Sequence, residues 1–349
     1  MYNCTKREQI KEFILDGKKN DFASIIILFL ACKKSNLMRQ ITDSIFMVRP
    51  VNFRMNEQTA VNNYYQRPLQ NTAPKSVQLR ALAEFDAFVL KLEQAGINVL
   101  VIQDKLEPDT PDSIFPNNWI SFHDNGDVAL YPMFAVNRRF ERREDILDQV
   151  EMAGFEIENI VDYTAAEEDD IFLEGTGSLI LDRVNRVAYC ALSPRADEDL
   201  FIEFCEDFEF TPVPFTANQT VDGTRKPIYH TNVMMCIGET LAVICLSSID
   251  DAKERKNVLK YLRETNKEII DISEAQVEQF AGNMLELLGH NDQHYVVMSG
   301  AAEASLTQEQ RKKIEKHAKI LSSPIDTIEA CGGGSARCMM AEIFLPKIA

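Results

Sequence analysis

A thiol, an imidazole and a carboxylate stand at nearly one interval along this chain. Cys338 lies in Gly-Gly-Ser-Ala-Arg-Cys-Met-Met, His230 in Ile-Tyr-His-Thr-Asn and Glu174 in Phe-Leu-Glu-Gly-Thr-Gly. Two amides continue the series, Asn118 in Phe-Pro-Asn-Asn-Trp and Asn283 in Phe-Ala-Gly-Asn-Met-Leu. The gaps are 56, 56, 53 and 55 residues. These types suit nucleophilic catalysis. A free thiol, with a pKa of ~8.5, is mostly protonated at neutral pH and needs a base or an ion-pair partner. An imidazole supplies that, and a carboxylate orients the imidazole. Taken singly, Cys338 reads as a core cysteine and His230 as a structural histidine. Glu174 sits between Leu173 and Gly175, where a carboxylate faces burial unless it is paired. Equivalent placement in a repeat changes the reading, because repeated units set matched positions around one axis.

The elements that must position these groups recur with them. Each unit reads as strand, strand, helix, strand. The first runs from Ile45–Pro50 through a helix at 75–95 to a strand at 97–102. Leu79, Leu82, Phe85, Val89 and Leu92 form its apolar face, and Gly96 stops it. The second has strands at 119–122 and 128–131 around Asp124-Asn125-Gly126-Asp127, a helix at 139–153 and a strand at 156–161. The third has strands at 178–181 and 187–191, a helix at 197–208 and a strand at 211–214. The fourth has 232–237, 241–245, a helix at 251–265 and 268–272. The fifth has 284–288, 295–298, a helix at 307–316, a strand at 320–328 and a last strand at 338–344. The strands are apolar on both faces, as in sheets covered by helices. Five such units, none able to bury its helix alone, predict an α/β fold closed radially: a five-bladed α/β propeller.

Composition narrows the partners. The formal charge of −17 argues against nucleic acid, whose phosphates are bound by Lys and Arg. Eight cysteines are scattered with no Cys-x-x-Cys pair and no zinc-like Cys/His spacing, which predicts a reducing, cytoplasmic compartment and no metal. The apolar stretch Phe22–Cys32 is too short to span a bilayer, and Asp16 and Asp21 disfavour a signal peptide. Residues 1–38 are therefore expected to form an extension outside the fold, and 39–349 one catalytic domain. Intact mass of the native protein tests whether the extension arises from a start codon assigned too early. His123, His290, His294 and His317 read as surface residues, and Glu167–Asp170 as a solvated loop.

A second stretch, Pro-Asp-Ser-Ile-Phe-Pro-Asn-Asn, holds Asp112 and Asn118. By spacing alone Asp112 is equally a turn-former. Arg138, Arg139 and Arg195 follow second strands. Arginine forks bind carboxylates at two points, although such arginines also occur simply at exposed helix starts.

Together these pieces resemble the amidinotransferase and arginine deiminase superfamily, the guanidine-modifying enzymes of pentein fold. The resemblance runs from about Ile41 to Ile348. Its carriers are Pro111-Asp112-Ser113-x-Phe115, Glu174-Gly175, His230-Thr231-Asn232 and the Gly-rich loop with Cys338. Within the superfamily the chain is similar to dimethylarginine dimethylaminohydrolases, and among them to the bacterial group proposed to act in citrulline use. The resemblance implies Cys338 as nucleophile, His230 as acid/base, Glu174 as its partner and Asp112 as a contact to the planar nitrogen group. It also implies Arg195 and Arg138 as ligands of the substrate carboxylate. No cofactor is implied; the partner is a small amino acid, and a homo-oligomer is allowed. One departure stands out: Asn117 and Asn118 replace acidic residues usual in dimethylarginine hydrolases. Asparagine carries no charge and offers a donor and an acceptor, which suits a neutral ureido group or a site handling both forms. The expected reaction is hydrolysis of a non-peptide C–N bond in an arginine- or citrulline-like amino acid. Amidino transfer to an amine and a non-catalytic role, as in a ribosome-binding translation factor of pentein fold, are the competing readings.

Overall fold

The computed structural model describes residues 38–69 and 73–348. The expected extension, Met38 apart, lies outside the described residues, and Arg39–Ala349 form one contact unit. In it the apolar runs become short strands: β1 (Ser44–Arg49), β2 (Asn98–Gln103), β3 (Ile120–Phe122), β4 (Asp127–Leu130) and β5 (Asn159–Asp162). Then come β6 (Leu179–Asp182), β7 (Val187–Ala191), β8 (Thr211–Phe215), and a hairpin of β9 (Asn218–Val221) and β10 (Thr224–Pro227). The rest are β11 (Met235–Ile237), β12 (Leu241–Ile244), β13 (Glu268–Asp271), β14 (Leu285–Leu288), β15 (His294–Ser299), β16 (Lys319–Ser323) and β17 (Ala341–Glu342).

Among the described residues, five of the six sheets are three-stranded and share one pattern, and none closes on itself. A first strand pairs antiparallel with a second, which pairs parallel with a third. The parallel step requires a crossover, and a helix supplies it in each sheet. These are α1 (Pro74–Gln94), α2 (Glu144–Met152), α4 (Glu198–Asp207), α5 (Ala252–Glu264), and the pair α7 (Gly300–Ser305) and α8 (Gln308–Glu315). Shorter helices are α3 (Gly175–Ser178), α6 (Glu274–Val277) and α9 (Asp326–Gly332). The first sheet is composite. β17 from the far end of the chain pairs antiparallel with β1, as Ile45 opposite Glu342 and Phe46 opposite Ala341. β1 then pairs parallel with β2.

Packing corrects several expectations. In α1 the buried face is Val77, Ala81, Phe85, Phe88 and Leu92, while Leu79 is 58 % exposed. Leu79 lies two residues, roughly 200° of helical rotation, from Val77, so the true stripe runs beside the expected one. Gly96 does follow the helix, at φ +88°, where a side chain would be strained. The helix at 139–153 is interrupted, with a 3₁₀ turn at Val136–Glu141 before α2. The expected strand 320–328 ends at Ser323 and gives way to α9, because Pro324 withdraws a ladder donor. The hairpin β9–β10 and helices α6, α7 and α9 have no counterpart in the expected pattern. Among the described residues, no helix is long and apolar enough to cross a membrane.

Candidate active site

Six of the seven nominated side chains, Asp112, Asn118, Arg138, Arg195, His230 and Cys338, line one pocket of about 250 Å³. Glu174 lies directly behind His230. The chain reaches this pocket the same way each time. A tight turn precedes the first strand of a sheet: 3₁₀ at Pro116–Asn118, α3 at Gly175–Ser178, 3₁₀ at Thr231–Val233 and 3₁₀ at Ala336–Met339.

Cys338 is 3 % exposed. Its Sγ receives hydrogen bonds from Asn283 Nδ2 at 3.2 Å and Asn232 Nδ2 at 3.4 Å. Asn283 does more than that. Its Oδ1 accepts from the backbone N–H of Arg337 at 3.0 Å and Cys338 at 3.4 Å. One amide thus ties down the turn and aims a donor at the sulphur. The Gly-rich segment ahead of the turn is held from outside: Tyr229 Oη donates to Gly333 O at 2.6 Å, and Asn63 and Gln66 donate to Gly332 O.

His230 Nε2 lies 2.7 Å from Glu174 Oε2. Glu174 is 0 % exposed yet well supplied, since Phe134 N donates to Oε1 at 3.0 Å and Arg195 Nη1 to Oε2 at 3.4 Å. Burial alone pushes its carboxyl up, but Arg195 and the hydrogen bond from His230 outweigh it and hold it at about 2. Burial lowers His230 to about 4 against the upward pull of Glu174. At neutral pH the pair is carboxylate and neutral imidazole. A carboxylate only accepts, so Nε2 carries the proton and Nδ1 keeps a free lone pair. Gly177 makes room for that ring: a Cβ there would sit 2.8 Å from His230 Nδ1 and 2.4 Å from Asn118 Nδ2.

Asp112 Oδ2 accepts from Asn56 Nδ2 at 2.8 Å and Thr59 Oγ1 at 3.1 Å. Its Oδ1 is buried with no partner among the described residues. Burial raises this carboxyl, opposed first by Arg138 and then by Asn56 and Thr59. The two arginines are already engaged. Arg138 spends Nε and Nη2 on Glu141, both at 2.9 Å, and donates to Asn118 Oδ1 at 2.8 Å and Phe115 O at 3.0 Å. It therefore orients the Asn118 amide. Arg195 donates to Asn62 Oδ1, Thr59 O and Glu174, and its guanidinium lies 4.8 Å over Tyr229. Arg139 donates to Met133 O. Among the described residues, no group of His, Cys, Asp and Glu could hold a metal ion.

The family described as N,N dimethylarginine dimethylhydrolase, eukaryotic, matches residues 49–345. The chain belongs to that family. Solved structures agree on the fold of this family member. ArgZ, an arginine dihydrolase from the cyanobacterial ornithine–ammonia cycle, matches with TM-score 0.67 at 16 % identity, over 87 % of this chain and 41 % of ArgZ. The chain thus spans about two fifths of that protein. The substrate-bound N-terminal domain of ArgZ alone matches at TM-score 0.63 and 18 % identity, over 86 % of this chain and 99 % of the domain. A dimethylarginine dimethylaminohydrolase adduct with S-methyl-L-thiocitrulline matches at TM-score 0.58 and 12 % identity, over 87 % and 100 %. A search of curated proteins found no match.

The sequence reading misses a whole segment of this family member's site. Residues Asn56–Gln66 form no strand or helix, yet they supply Asn56 and Thr59 to Asp112, Asn62 to Arg195 and Asn63 to the Gly-rich loop. Its run of amides, Asn56, Asn62 and Asn63, is the one available signal. Asn232 and Asn283 are noted in motifs but not as donors to the sulphur. His123 is not a surface residue: it is 3 % exposed, stacks on Phe208 at 4.1 Å and pairs with Ser121 Oγ. Burial holds it well below the ordinary histidine range. Glu167 is no free loop acid either, since it binds Arg142 and accepts from Met133 N.

Proposed function

We propose that this chain is a cysteine-dependent hydrolase of the amidino C–N bond of arginine-like amino acids. The observation that carries the reading is the convergence, in one pocket, of the Cys338 thiol, the neutral imidazole of His230 backed by Glu174, and the unpaired oxygen of Asp112. Asp112 pairs with N–H groups of the incoming guanidinium, a cation at any physiological pH. His230 takes the thiol proton while Glu174 stabilises the resulting imidazolium. Sγ then attacks the guanidino carbon. The C–N bond breaks as His230 returns the proton to the departing nitrogen, leaving an S-alkyl thiouronium on Cys338. Water attacks that carbon, gives its proton to His230, and the sulphur leaves and is reprotonated. Asn283 and Asn232 stabilise the sulphur anion in both halves.

The neutral Asn118, fixed by Arg138, favours a site that also tolerates the uncharged ureido product, and the structurally similar ArgZ is an arginine dihydrolase. Arginine is therefore the leading substrate, with ornithine, two equivalents of ammonia and the guanidino carbon released as carbon dioxide as end products if citrulline re-enters the pocket and takes up a second water. We read the five like sheets, the shared β17–β1–β2 sheet among them, as five blades of a propeller, built from residues 39–349 as one domain in the cytoplasm. The test is mass analysis of products from arginine, methylarginines and citrulline, with Cys338→Ala and Cys338→Ser. Both variants should lose at least ~10⁴-fold in kcat, as expected when a covalent nucleophile is removed. Undiminished release of ammonia by Cys338→Ala would end the proposal.

A further inference from the structure

A second cavity lies apart from the catalytic pocket and shares none of its lining residues. It spans about 320 Å³, part of it open to solvent, and is bounded by Arg183, Arg337, Glu342, Gln40, Thr176 and apolar side chains of β6, β11 and β14. Among the described residues, no other charged side chain lines it. Two cations against one anion leave one net positive charge in a largely buried space.

The partners of these groups locate the imbalance. Arg337, 4 % exposed, donates Nη2 to Glu342 Oε2 at 3.0 Å and Nη1 to Met340 O at 2.9 Å. Glu342 is thereby committed. Gln40 is committed too, with its Oε1 accepting from the Arg183 backbone N–H and its Nε2 donating to Leu181 O. The Arg183 side chain is 93 % buried, the complement of its 7 % exposure. Its guanidinium stacks on Phe344, whose ring centre lies 4.0 Å from the guanidinium carbon. Stacking uses the face of a guanidinium and leaves its five N–H groups pointing outward in the plane. Among the described residues, no acceptor meets them. None of its nitrogens is fully buried without a partner, so this edge is reached by solvent and is open to an anion, which pairs with a partly desolvated cation better than water does. Burial pulls this guanidinium below its ordinary range against the upward pull of Glu342, Tyr131 and Asp124, and Arg337 adds a smaller lowering.

We propose that this cavity binds a small monoanion, a carboxylate of one or two carbons or a halide, on the in-plane edge of Arg183. A planar carboxylate matches the guanidinium fork at two points, and the single excess charge requires only one negative charge. The cavity also abuts Thr176 and Leu179, which flank Gly177, so an occupied site would stiffen the segment packed against His230.

The test measures thermal unfolding and isothermal titration calorimetry with sodium formate, sodium acetate and sodium chloride. The protein is the full chain in halide-free buffer, with ionic strength held constant by sodium HEPES, whose sulfonate is too bulky for the cavity. Wild type should show a saturable rise in Tm. Arg183→Met should bind roughly tenfold or more weakly, the loss expected when charge-assisted hydrogen bonds to an anion are removed, and should be no less stable than wild type without the anion. Arg183→Lys, which keeps the charge and loses the fork, should fall between them and serves if the methionine variant does not fold. A response to formate and acetate above chloride identifies a carboxylate, and a response to chloride alone a halide. No saturable response in wild type, or equal affinities in wild type and Arg183→Met, overturns the proposal.

Discussion

At the scale of single residues, the site is a problem in placing charge where water is absent. Glu174 stays ionised in a fully buried position because three donors reach it, and that anion keeps a proton on His230 Nε2 and a lone pair on Nδ1. Asp112 differs: it has donors on one oxygen only, and the other is left for a ligand. Asp112→Asn should therefore act on binding of a cation. We expect kcat/KM for arginine to fall roughly 10²-fold, the scale of a lost buried charge pair, with a smaller loss for the uncharged citrulline. Steady-state kinetics on both substrates checks this, and equal losses would show that Asp112 does not read charge. These roles follow residue identity only partly. That Cys338, His230 and Glu174 belong together is legible in their spacing. That Asn283 grips both the turn and the sulphur is not, because an asparagine announces neither its partners nor its rotamer.

Elements decide how close such groups come. The short helix α3 passes His230 with no side chain at Gly177. Gly177→Ala would drive a Cβ into the imidazole and the Asn118 amide. It should lower kcat at least ~10-fold, since misplacement by a fraction of an ångström is costly to catalysis, while the far-ultraviolet circular dichroism stays that of wild type. Unchanged kcat would mean the imidazole has room to shift. Helix α9 sets the other side of the pocket through Glu329, whose Oε1 accepts from Ser335 Oγ at 2.5 Å, ahead of the Cys338 turn. Burial, with Asp326 and Glu84 nearby, raises Glu329 to about 7. A raised carboxyl binds its proton more tightly in the folded state. Its contribution is present below the unfolded pKa of about 4.5 and is lost as pH rises through about 7. Glu329→Gln, uncharged at every pH, should match wild type near pH 5 and exceed it near pH 8 by on the order of 2–3 kcal/mol. Chemical denaturation at the two pH values checks it; a constant difference would place the ionisation elsewhere. Helices α6 and α9 escape the sequence pattern because a single turn or two carries too few residues to establish a period, and the Asn56–Gln66 loop escapes because it has none.

At the scale of the molecule, the two ends of the fold belong to one sheet. β17 pairs with β1, Thr42 Oγ1 donates to Ile343 O at 2.7 Å, and Ile343 and Leu345 are buried. Removing residues 341–349 should therefore undo the first sheet and, through the adjoining core, the cooperative unfolding of the whole chain. Calorimetry should show a strongly lowered or absent transition. A Tm within a few degrees of wild type would mean that the shared sheet is dispensable. Such long-range closure also lets the Cys338 thiol lie far along the chain from Asp112 and still line the same pocket.

Sequence alone determines the repeat, the helix crossovers, the acidic charge balance and which three side chains converge at one pocket, because apolar periodicity and spacing are local properties written along the chain. Tertiary structure decides what those groups experience. It sets which oxygen of Asp112 is free, that Arg138 and Arg195 hold other side chains, that His123 is buried, and that Arg183 is left facing a cavity. Asp112 meets Asn56 across 56 positions and Arg195 meets Asn62 across 133, and no local pattern encodes such partners.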